Sequence, residues 1–135
     1  MSRDAAPLEQ NAESGVPMPV GIELLARLAD LEDDWDGHGS PAPDDSTLGA
    51  SLHVLHRFMA FTASPPSVGA TADGGVQFEW HQGGWDIEVE VQPDGNTIAW
   101  GQEVDGPGSF YGPIDDCADD LTHTLSKISQ FEVQA

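Results

Sequence analysis

VQFEWHQGGWDIEVEVQPDGNTIAW, residues 76–100, decides the fold. Val76, Phe78 and Trp80 alternate with Gln77, Glu79 and His81, and Trp85, Ile87, Val89 and Val91 alternate with Asp86, Glu88 and Glu90. A period of two over this length marks half-buried strands, one face apolar and one polar. Two turns join them. A two-residue turn at Gln82-Gly83 would set Trp80 opposite Trp85, Phe78 opposite Ile87 and Val76 opposite Val89. Asp94-Gly95 is a strong hairpin signal, and a turn there would set Val91 opposite Ile98 and Val89 opposite Trp100. Both pairings keep every large apolar side chain on one face, which a slip of one residue would undo. The outer face would then carry Gln77, Glu79, Asp86, Glu88 and Glu90, with the small Ala99 and Gly101 beside them.

Helical periodicity flanks this meander. Leu24, Leu25, Leu28, Leu31 and Trp35 form one stripe, predicting a helix over Pro19–Asp34 that gives way to the Gly- and Pro-containing segment 36–43. A second helix is expected over Asp44–Ala63, burying Leu48, Leu52, Leu55, Phe58, Met59 and Thr62 and ended by Ser64-Pro65-Pro66. Ile114, Ala118, Leu121, Leu125 and Ile128 predict a last helix over Pro113–Gln130, with Asp115, Asp116, Asp119 and Asp120 in its opening turns, where the helix dipole favours acids. The expected fold class is α+β: an antiparallel β-meander of three to four strands with helices packed on one face, in the order α-α-β-β-β-α. The fourth strand would be a short one near Val68–Thr71. Residues 1–18 show no sustained period and read as a flexible N-terminal arm, leaving 19–135 as a single acidic domain.

Charge is the strongest compositional signal. The chain holds 24 Asp and Glu against 4 Lys and Arg, a net −20, of which the first nineteen residues carry only −2. A folded surface must therefore display it. Such a surface repels a phosphate backbone, so direct nucleic-acid binding is disfavoured. It attracts basic proteins. Cys117 is the only cysteine, so no internal disulfide can form. No apolar run is long enough to span a membrane and the N-terminus lacks the pattern of a secretion signal, so the cytoplasm is the expected location.

Two short motifs carry a resemblance. Trp35-Asp36-Gly37-His38-Gly39 follows the leucine helix, and Asp73-Gly74-Gly75-Val76-Gln77-Phe78-Glu79-Trp80 opens the meander. From Leu24 to Trp80 the chain resembles a family of small uncharacterised bacterial proteins marked by a leucine helix ending in W-D-G-x-G, a Pro-containing link, a second helix, and D-G-G-[VI] leading to E-W. This chain has His38 where the pattern expects an aromatic residue. The resemblance implies the same fold and a bacterial or phage setting, and no activity.

No arrangement reads as a strong catalytic motif. Glu32, Asp34, Asp36 and Gly37 match the first half of a calcium-binding loop, but the closing bidentate glutamate falls on Pro43. A loop closing the helix at Gly37, with Trp35 packed inward, is the favoured reading, and no metal or cofactor is expected. His53 and His56 share a helix face, yet His38, His53, His56, His81 and His123 show no zinc-ligand spacing and read as isolated surface or boundary residues. Cys117 lies among Asp115, Asp116 and Asp119, which disfavour the thiolate. Glu79 facing Asp86 could share a proton, as in acid catalysis, but reads more simply as a soluble outer face. Gly74-Gly75, Gly83-Gly84 and Gly106-Pro107-Gly108 read as turns, none being a phosphate loop.

These readings lead to a non-enzymatic acidic interaction protein, acting on a partner with a basic surface such as a nuclease or other nucleic-acid-binding protein. An antitoxin, an immunity protein or a phage antidefence protein that mimics the charge of DNA would each fit. The expected contact residues are Glu79, Asp86, Glu88 and Glu90 on the sheet and Asp115, Asp116, Asp119 and Asp120 on the last helix. The alternatives are a small metal-dependent or carboxylate-based hydrolase built on the Asp34–His38 loop, and an accessory subunit of a bacterial complex whose acidity serves solubility.

Overall fold

A computed structural model describes residues 18–58 and 65–134, with side chains described over 23–58 and 65–128. The expected arm, apart from Met18, lies outside the described residues, as do Met59 and Thr62 of the second helical stripe. Helices α1 (Met18–Ala29) and α2 (Asp45–Phe58) precede strands β1 (Ser67–Ala70), β2 (Val76–Gln82), β3 (Trp85–Val91), β4 (Thr97–Glu103) and β5 (Ser109–Pro113), and α3 (Ile114–Gln134) follows. All neighbouring strands are antiparallel and lie in the order β1-β2-β3-β4-β5. The class is α+β with the expected order of helices and sheet, but the meander has five strands.

The alternation in β2 and β3 places Val76, Phe78, Trp80, Trp85, Ile87, Val89 and Val91 in the core. Leu25 and Leu28 of α1, Val54, Leu55 and Phe58 of α2, and Leu121, Leu125 and Ile128 of α3 join them in one cluster. The helices thus cover the apolar face of the sheet, the standard way to remove it from water. The expected stripe of α2 is rotated: Thr47, Ser51, Val54, Leu55 and Phe58 face inward, while Leu52 is exposed. The buried Ser51 hydroxyl is satisfied by donating to the Thr47 carbonyl at 2.8 Å, so a small polar residue can occupy the inner face.

Helix α1 ends at Ala29, five residues before the expected Asp34. Acids at a helix C-terminus meet the negative end of the dipole. Here Asp33, Asp34 and Asp36 serve a loop instead: Asp33 accepts from the Ala42 N–H at 3.0 Å and Asp34 from the Gly39 N–H at 2.7 Å.

Both hairpin registers differ from expectation, with different consequences. The β2–β3 turn is Gly83-Gly84, both at positive φ, so Trp80 faces Ile87 and Phe78 faces Val89. A two-residue turn of this hand needs positive φ at both central positions, which two glycines supply and Gln82 does not. The register moves by two residues and every side chain keeps its face. The β3–β4 loop has three residues. The Gly95 N–H donates to the Gln92 carbonyl at 3.0 Å, placing Pro93 at the second position of a type I turn, where its fixed φ suits it, and Gly95 at φ +94°. This slip is one residue, so β4 is reversed: Ala99 and Gly101 point inward, while Ile98 and Trp100 point outward. The expectation of one wholly apolar face fails at this strand. In the core, the missing side chain of Gly101 leaves room for the Phe110 ring of β5.

Candidate functional site

The outer face of the sheet follows from these registers. One cross-strand row runs Ser67, Glu79, Glu88, Trp100, Tyr111, from β1 to β5. The adjacent row runs Gly69, Gln77, Glu90, Ile98, Pro113. On the other side of the first row lie His81, Asp86, Gln102 and Ser109. The four expected acids Glu79, Asp86, Glu88 and Glu90 therefore do share this face. Glu79 pairs with Glu88, however, and not with Asp86.

His81 connects the two carboxylates that the strands separate. Its Nδ1 lies 2.8 Å from Asp86 Oδ1 and its Nε2 lies 3.0 Å from Glu79 Oε1. These hydrogen bonds, Asp86 first and then Glu79, raise the imidazole pKa above its ordinary 6.5. The protonated ring donates to both carboxylates. A group whose pKa is raised on folding contributes stability that is complete below its unfolded pKa and is lost as pH climbs through the folded value. Urea melts across a pH series should show wild type losing its advantage over His81→Gln above about pH 6.5. Because the bridge is exposed, the change should be about 1 kcal/mol or less. A wild-type-to-variant difference that stays constant with pH would show that the bridge contributes nothing to stability.

Glu88 and Glu90 behave differently. Partial burial raises the pKa of each; for Glu88 the Glu79 charge adds to this while the His81 charge and a hydrogen bond from Gln77 partly oppose it, and for Glu90 the charges of Asp73 and Glu88 add to it. They border a concavity of about 320 Å³ whose other walls are Gln92, Ile98, Trp100 and Tyr111. Trp100 is 37% exposed and Tyr111 74% exposed. These outward rings were not legible as part of the acidic face. Pro93 ahead of Asp94-Gly95 was the signal for the first, since it favours the longer loop that reverses β4; Tyr111 lies in a strand too short to show a clear period.

The second expected set, Asp115, Asp116, Asp119 and Asp120, is exposed on α3. That helix packs on the opposite face of the sheet, so the structure does not bring the two acidic sets together. Asp115 is paired with Arg57 of α2 at 3.1 Å. Cys117 is buried, and that burial, reinforced by Asp120 and Asp116, raises its thiol pKa. His53 and His56 are exposed on α2.

The loop after α1 is organised by its own backbone. Asp36 Oδ1 accepts from the His38 N–H at 2.9 Å, and Asp36 Oδ2 accepts from the Ser40 hydroxyl. The half-buried Trp35 donates its Nε1 hydrogen to the Pro41 carbonyl at 3.1 Å. The W-D-G segment thus works as a loop clasp. Among the described residues, no group of three or more His, Cys, Asp or Glu side chains is placed to hold a metal ion. Calcium, magnesium or zinc should leave the thermal midpoint unchanged. A metal present at one hundred times its Kd would add about 2.7 kcal/mol, a shift that thermal denaturation resolves easily.

Together the fold and this face define a five-stranded meander domain that turns a mixed carboxylate and aromatic surface to solvent. Compared with protein-family models, with curated proteins and with solved structures, the chain gives no match. Among the described residues no helix is long and apolar enough to cross a membrane.

Proposed function

We propose that this is a non-enzymatic acidic interaction protein that binds the basic surface of another protein through the outer face of its sheet. The observation that carries the reading is the concentration of Glu79, Asp86, Glu88 and Glu90 on one face, next to outward-facing Trp100 and Tyr111. Acids directly opposed on paired strands destabilise a sheet, so solubility alone is a poor reason to place Glu79 against Glu88. Aromatic residues are enriched at protein interfaces, and a carboxylate field steers a basic partner into contact. A nuclease or other nucleic-acid-binding protein has such a basic surface. The reading therefore extends to an inhibitor of the antitoxin, immunity or phage antidefence kind, covering a site that nucleic acid would otherwise occupy, in the cytoplasm of a bacterial cell.

The test begins with capture of the partner from a bacterial lysate and measures its association rate by surface plasmon resonance at low and at physiological salt. The rate should fall as screening shortens to about 8 Å. The captured protein should also lose nucleic-acid binding when this chain is added in excess. An association rate indifferent to salt, or a partner that holds this chain and nucleic acid together, would overturn the reading.

A further inference from the structure

We propose that the concavity between β3, β4 and β5 is a seat for an arginine side chain of the partner protein. This deepens the function proposed above and rests on it. Three observations define the occupant's chemistry. Glu88 and Glu90 stand two apart on β3, so both project from the same face of the strand into one wall of the concavity. Trp100 lies directly across from Glu88, and Tyr111 directly across from Trp100, so two aromatic rings continue the row that the carboxylate begins. Ile98, across from Glu90, adds an apolar wall. Among the described residues, no lysine or arginine borders this space. His81, on the same face, is held by Asp86 and Glu79, and its charge also acts on Glu88 without lining the concavity.

Carboxylates beside solvent-facing rings suit a cation with a flat, weakly hydrated body. A guanidinium stacks on an aromatic face and gives parallel hydrogen bonds to a carboxylate, while its aliphatic stem lies against apolar surface. An ammonium offers a point charge that is more strongly hydrated and does not stack. Partial burial raises the pKa of Glu88 and Glu90, and for Glu90 the charges of Asp73 and Glu88 add to this. A seated guanidinium would offset the cost of keeping both ionised.

The experiment compares arginine and lysine homopeptides of equal length by isothermal titration at physiological salt, using the whole chain. The arginine peptide should bind more tightly, by roughly tenfold, the scale of one cation–aromatic contact. Trp100→Ala combined with Tyr111→Ala should bring the two affinities together, chiefly by weakening the arginine peptide. Trp100→Phe, which keeps a ring at the site, should retain the preference and guards against an effect of misfolding. Equal affinities in the wild type, or an arginine preference that survives loss of both rings, would overturn the seat. If both peptides bind equally and both weaken when the sheet carboxylates are neutralised, the acidic-face reading stands without it. If neither peptide binds, both fail.

Discussion

Trp80→Ala should destabilise the domain by about 3–5 kcal/mol, the usual scale for deleting a buried aromatic side chain, whereas Trp100→Ala should cost only about 1 kcal/mol. Trp80 is 3% exposed and belongs to the central core cluster, so truncation leaves a cavity that its neighbours on β3 and the helices fill only in part. Trp85, likewise buried and lying 6.3 Å from the Phe110 ring, should behave as Trp80 does. Trp100 sits on the other face, and replacing it returns a half-covered surface to water. The contrast is a direct measurement of the β4 register. A two-residue turn at Asp94-Gly95 would bury Trp100 and expose Ala99, and chemical denaturation would then find both variants severely destabilised. Comparable losses at the two tryptophans would mean that Trp100 is buried and that Ala99 and Gly101 face outward on β4.

The second large effect concerns the partner. Glu79→Gln, Asp86→Asn, Glu88→Gln and Glu90→Gln together keep the shape and polarity of the face while removing four charges. Electrostatic steering raises association rates by about 10- to 1,000-fold. The variant should therefore associate with the captured partner at least about tenfold more slowly at low salt and lose most of its salt dependence. Folding should survive. The raised pKa of Glu88 and Glu90 means that their ionised forms oppose folding at neutral pH, and amides relieve this. The offsetting loss is the His81 bridge, which is exposed and small. An unchanged association rate in a well-folded variant would exclude the sheet face. Attention would then pass to Asp115, Asp116, Asp119 and Asp120, whose placement across the molecule makes them an independent surface to neutralise in the same way.

Local periodicity carried most of the architecture. Alternation in 76–80 and 85–91 determined which side chains of β2 and β3 enter the core, because a strand has only two faces and the apolar set must leave water. The stripe Ile114, Leu121, Leu125 and Ile128 did the same for α3, and the concentration of acids made a negative surface unavoidable. What tertiary structure alone decided lies where local signals were short or balanced. β4 holds large and small residues on alternate positions, Ile98 and Trp100 against Ala99 and Gly101, and its apolar pattern favours burying the large ones. The three-residue loop built on Pro93 and the need to admit Phe110 beside Gly101 reverse that choice. β1 and β5 are the sheet's two edges, too brief to show a period and defined by pairing with a partner strand. The His81 bridge to Asp86 and Glu79, the ion pair between Arg57 and Asp115, and the aromatic flank of the acidic face all depend on strand register or on long-range packing. Sequence determined that the surface would be acidic. Only the folded sheet decided that two aromatic rings would stand beside its carboxylates, because a register shift of a single residue exchanges the two faces of a strand.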